Sequence, residues 1–173
     1  LVDVVVMSTQ TQNYTMTSTA GEGENTTEDA VSVLSKDGLQ VIIDLTVLYK
    51  TKAVEAPTIL KKIGPNYKDK IIRPIVRSQI RESAVDFEAI ELYSDKRAEF
   101  EKMVKDAIAE TLLARGFELE DMLVRQIDLP NSVKQSIERK ITAIQEDQRM
   151  VYVLEKEKKE AQRKREEAAG VAD

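Results

Sequence analysis

Apolar positions change period twice along this chain of 173 residues. Val2, Val4 and Val6, then Thr9, Thr11, Thr15, Thr17 and Thr19, alternate with their neighbours and predict extended structure over 2–19. "TAGEGENTTEDA" follows, with two glycines and four acids, and predicts a loop or a wide hairpin tip. The next stretch, "VSVLSKDGLQVIIDLTVLYK", alternates most clearly. Asp37-Gly38 is a tight-turn dipeptide; beyond it Val41, Ile43, Leu45, Val47 and Tyr49 take one face, while Gln40, Asp44, Thr46 and Lys50 dominate the other. That is a half-buried antiparallel strand.

A helical period takes over after Lys50. "AVEAPTILKKI" reads as a short helix or turn closed by Gly64-Pro65. Ile71, Ile72, Ile75, Val76 and Ile80 are helically spaced around Pro74, which must fall in a first turn or make a kink. "SDKRAEFEKMVKDAIAETLLARG" is the best-formed helix. Phe100, Val104, Ala107, Ile108 and Leu112 line one side, Ser94 is placed to cap its start, and Gly116 to end it. Residues 117–128 return to strand, with Leu123, Ile127 and Leu129 alternating with polar neighbours. Strands, helices, strand and a final helix predict an α+β fold, an antiparallel sheet packed with short helices over residues 1–129.

Residues 130–173 are a different kind of chain. From Asn131 to Ala169 there is no proline or glycine, which predicts one long charged helix, the start of a coiled coil. Val133, Ile137, Ile141, Ile144, Val151 and Leu154 form a stripe, and Gln148 interrupts it as polar residues do where register is fixed. Glu155 with Lys159, and Glu160 with Lys164, are i,i+4 charge pairs worth about 0.3–0.5 kcal/mol each. Burying each aliphatic is worth roughly 1.5–3 kcal/mol, so packing decides, and the stripe calls for a partner surface. Val133 to Ile144 fit a helix folded back on its own domain as well as they fit a neighbour. From Val151 onward, contact between copies is expected.

Composition removes several classes of chemistry. The chain has no cysteine and no histidine, so the usual ligands of zinc and haem and the Cys-His and Ser-His-Asp sets are missing. Net charge is −5; residues 130–173 carry ten basic and nine acidic side chains, leaving 16 basic against 22 acidic in the body. An acidic body with no basic patch in its sequence argues against nucleic acid as a partner. No run approaches the ~18 apolar residues of a membrane span. With Leu rather than Met at position 1, the chain reads as an excised piece. Ser78, Ser83 and Ser94 suit helix faces or caps better than nucleophile roles, and Glu118, Glu120 and Asp121 read as a solvated strand edge. "GEGENT" lacks the lysine and helix of a phosphate loop. The residues point away from an enzyme and imply no cofactor or metal.

Taken together, the ordered pieces resemble the SPFH domain of the stomatin/prohibitin/flotillin superfamily, most closely the prohibitin type. "VDVVVMSTQTQ" is similar to the family's first strand, which commonly reads V-D-V-R-T-Q, and "VLSKDGLQVIIDLTVLYK" to its turn-plus-strand with Lys-Asp-Gly at the tip. "IGPNYKDKIIRPIVRSQIRESAVDFEAIELYSDKRAEF" resembles the central helices, and "RGFELEDMLVRQIDLP" the last strand. The likeness runs from about Val2 to Ala168. The acidic loop at 20–30 is longer than the family pattern leads one to expect.

The resemblance implies a non-enzymatic, membrane-associated scaffold. An N-terminal anchor, expected upstream of Leu1, would hold it at a membrane, and side-by-side copies would form a homo-oligomeric ring or cage. Such assemblies organise membrane patches and bind membrane proteases, notably of the FtsH-type AAA+ class. The same pieces fit a stomatin-like regulator of a channel or membrane serine protease. A soluble coiled-coil adaptor, or a hydrolase whose site is not apparent, are readings of another class.

Overall fold

The computed structural model describes residues 5–19 and 28–170, and the chain divides into two units at Pro130–Asn131. The first unit is built on β3 (Gln40–Thr51), whose alternation places Val41, Ile43, Leu45, Val47 and Tyr49 in the core. Strand β1 (Gln12–Met16) pairs antiparallel with β3 at Leu45–Tyr49, and β2 (Val31–Leu34) at Gln40–Ile43. Strand β4 (Phe117–Asp128) pairs along Ile42–Thr51. A strand has two hydrogen-bonding edges, so β4 takes one and β1 and β2 share the other. Met16 stands opposite Leu45 and Val31 opposite Ile43, with Asp44 between them. β1 and β2 are therefore two halves of one interrupted strand.

Of the extended segment expected over 2–19, only Gln12–Met16 is strand; Val5–Thr11 are not, and residues 1–4 lie outside the described residues. The expected loop at 20–30 likewise falls largely on residues 20–27, outside them. What is described is its base. The Asp29 N–H donates to the Thr17 carbonyl at 2.8 Å, between the end of β1 and the start of β2. Asp44 lies on the polar face but is buried, because its carboxylate accepts from Thr17 Oγ1, the Ser18 N–H and Ser18 Oγ at 3.1, 3.0 and 2.9 Å.

Helices cover the other face: α1 (Ala56–Lys62), α2 (Arg73–Ala84), α3 (Ala89–Tyr93) and α4 (Arg97–Leu113). Pro74 sits in the first turn of α2, where its missing N–H costs nothing, and a π-helical turn at Lys68–Ile72 leads into it. Ile72, Val76 and Ile80 of this arm, and Phe100, Val104, Ile108 and Leu112 of α4, are buried against the sheet and each other. Phe87 meets Phe100 edge-on at 5.5 Å, and Tyr67 stacks on Phe117 at 5.5 Å.

Two local expectations change. Ser94 does not cap the start of α4. It ends α3, a helix the periodicity did not single out, with its Oγ donating to the Ile90 carbonyl at 2.7 Å. Leu123 points outward, 49% exposed. β4 carries an extra residue at Glu120 and another at Arg125 relative to β3, and each bulge reverses which parity faces the core. Phe117, then Met122, then Ile127 and Leu129 are the buried residues.

The second unit is α5 (Asn131–Gly170), 40 residues without a break and about 60 Å long at 1.5 Å per residue. No helix among the described residues is long and apolar enough to cross a membrane.

Candidate functional site

The α5 surface is where unsatisfied apolar chemistry collects. At about 100° per residue, Val133, Ile137, Ile141, Ile144, Gln148 and Val151 fall within an arc of about 80°, so the helix does align the expected stripe. Val133 and Ile137 are half-buried; Ile141, Ile144, Gln148, Val151 and Leu154 are exposed. Leu154 lies about 60° off the stripe, on the side away from Ile141.

That displacement belongs to a larger feature. Met150, Val151, Tyr152, Val153 and Leu154 are consecutive, and each is between 40% and 69% exposed. Five residues stepping by about 100° leave no sector wider than about 100° without an apolar side chain. This is a girdle around the helix rather than a seam along it. Met150, Tyr152 and Val153 escaped the periodic reading because they break the period. The signal was the unbroken run "MVYVL" inside charged sequence. A helix apolar on all sides is stable in water only when surrounded.

Beyond the girdle the helix is charged. Glu155, Lys159, Glu160 and Lys164 are exposed. Among the described residues, i,i+4 contacts closed in this stretch include Arg163–Glu167 at 3.7 Å and Gln162 to Glu166 at 3.2 Å. Such pairs on a solvated face add a few tenths of a kcal/mol, far less than enclosing the girdle.

Several of the body's charged groups are occupied with structure. Asp29, 4% exposed, accepts from Arg73 Nε at 3.1 and 3.0 Å, from Arg73 Nη2, and from Arg77 Nη1 at 2.6 Å. Its hydrogen bond holds the Arg73 guanidinium above its ordinary pKa. Arg77 also donates to the Asp29 and Ala30 carbonyls. The segment leading into β2 is thereby clamped to α2. Glu118 and Glu120 both reach Lys50, at 3.4 and 3.5 Å, and Asp121 pairs with Lys105 at 2.7 Å, whose hydrogen bond lowers the Asp121 pKa. These acids are thus strand-edge ion pairs. Ser78 is exposed on α2 and Ser83 is buried there. Among the described residues, no group of three or more acidic side chains could hold a metal ion.

Comparison with known proteins places this architecture. The family model described as "SPFH domain / Band 7 family" matches residues 2–168. Prohibitin-2 of Bos taurus is 27% identical over 139 residues, covering 80% of this chain and 46% of the relative. Prohibitin-2 of Gallus gallus is 28% identical over 138 residues with the same coverage. Prohibitin 1 of Bos taurus is 27% identical over 122 residues, covering 70% and 44%. The chain thus spans about half the length of the relatives it matches.

Proposed function

The chain belongs to the SPFH domain / Band 7 family, and from that premise we propose that it is a non-enzymatic scaffold whose copies associate side by side through α5 at a membrane. The observation that carries the reading is the girdle at Met150–Leu154, exposed on every side of its helix. Enclosing five such side chains at roughly 1.5–3 kcal/mol each offers enough free energy to order neighbouring helices against the entropy of association. The stripe from Val133 to Ile144 extends the contact toward the start of the helix, and Gln148 sets its register. The near-balance of ten cations and nine anions over 130–173 lets identical helices approach without net repulsion.

An N-terminal anchor supplies the membrane attachment in this reading, and an FtsH-type AAA+ membrane protease is the partner whose access the assembly regulates. Light scattering of the intact protein in detergent, across a dilution series, tests the core of it. Particles many times the monomer mass are expected, collapsing with Val151→Asp plus Leu154→Asp. A wild-type protein that stays monomeric, or a double variant whose assemblies keep their size, sinks the proposal.

A further inference from the structure

We infer that the α1 end of the body is a lipid-facing surface that recognises anionic headgroups, an inference that rests on the membrane part of the reading above. The cations concerned are spread along the sequence: Lys52, Lys62 and Lys70 are eight to ten residues apart, and Arg115 lies another 45 on. The fold gathers them. Lys52, Lys62 and Arg115 line one open groove of about 400 Å³ between α1 and the α4–β4 turn. Lys70 joins them at its rim, its Nζ donating to the Ile63 carbonyl at 2.9 Å. Among the described residues, Glu55 is the one acid in the groove lining. A local excess of cations stands out on a body with 16 basic and 22 acidic side chains. Among the described residues, ion pairs engage cations elsewhere on the body, among them Lys50, Arg73, Arg77, Lys96, Arg97 and Lys105.

Two apolar side chains stand in the same place. Val54, in the turn between Lys52 and Glu55, is 89% exposed, and Leu113, in the groove wall at the end of α4, is 51% exposed. Cations flanking protruding aliphatics suit an interface that offers anionic headgroups above and acyl chains below. A nucleic acid offers the charge without the apolar layer. The topology agrees: Gln12, where β1 begins, lies opposite Tyr49 at this end of the sheet, and the Tyr67 hydroxyl donates to Gln12 Oε1 at 2.8 Å. Strand β4 runs away from it, from Phe117 to Asp128. The surface and the start of the sheet are thus at one end of the body, and Pro130 is at the other.

The test is co-sedimentation of the 173-residue chain with phosphatidylcholine vesicles, with and without phosphatidylserine. Binding is expected only with phosphatidylserine and weakens as salt is added. Each lost cation lowers affinity about fivefold, so Lys52→Glu, Lys62→Glu and Arg115→Glu together should lower it more than about 100-fold. Val54→Ser with Leu113→Ser, which leaves the charges alone, should lower it several-fold, and Lys102→Glu on α4 should leave it unchanged. Equal binding to both vesicle types, a triple variant that binds like wild type, or equal retention by single-stranded RNA would overturn the assignment. Failure of the wild-type chain to bind while the intact protein still forms its large particles removes this surface and leaves the scaffold standing.

Discussion

Asp29 gives the most direct test of how the sheet tolerates an interruption. Its carboxylate is buried and takes hydrogen bonds from Arg73 and Arg77 of α2, while its own N–H bridges to Thr17. Asp29→Ala removes the acceptor but leaves both guanidinium groups. Breaking a fully buried pair costs about 3–5 kcal/mol. Here the Arg73 side chain is 38% exposed and that of Arg77 22%, so both recover part of their hydration. A loss of about 2–3 kcal/mol is the expectation after that discount. In a chain of this size it lowers Tm by roughly 4–12 °C. Urea unfolding followed by near-ultraviolet circular dichroism reads the packing of Tyr14 and Tyr49 and so reports on the body. Glu28→Ala, one residue earlier and exposed, is the control and should shift stability by less than about 0.5 kcal/mol. If the two variants unfold at the same urea concentration, the clamp contributes nothing and the reasoning from burial fails.

Gly116 and Gly38 both have positive φ, +88° and +75°, yet a Cβ at 116 would come within 2.8 Å of Glu55 Cβ whereas one at 38 meets nothing within 4 Å. Gly116→Ala should therefore cost roughly 2–4 kcal/mol and Gly38→Ala about 1 kcal/mol in the same urea assay; equal costs would mean that the α4–β4 turn yields freely. The bulges in β4 predict that Met122→Ala loses about 2–4 kcal/mol while its neighbour Leu123→Ala loses less than about 1 kcal/mol, measured the same way. The reverse order would place β4 in the wrong register.

What the sequence disclosed and what it hid follow from the range of each signal. The alternation of Val41 to Tyr49 survives unchanged because β3 is regular and paired on both edges. The stripe of α4 survives because it depends only on helical period. Leu123 misled because a bulge is set by pairing with another strand, which no local pattern records. Ser94 misled because a serine beside an acid before a helical run suits the end of one helix as well as the start of the next. On α5 the period revealed Val133 to Val151 and hid Met150, Tyr152 and Val153, since a girdle has no period. The cationic end was invisible for a plainer reason: Lys52 and Arg115 are separated by about half the length of the body and meet only through β3 and β4.

The collinear halves β1 and β2 have a practical consequence. Because Met16 and Val31 resume the same edge of β3 on either side of Asp44, the number of residues between them is uncoupled from sheet register. A small fluorescent or affinity reporter spliced between Ala20 and Thr27 would ride on a base already fixed by Asp29 and Asp44. Every copy in an assembly could then carry a label without touching either chain terminus.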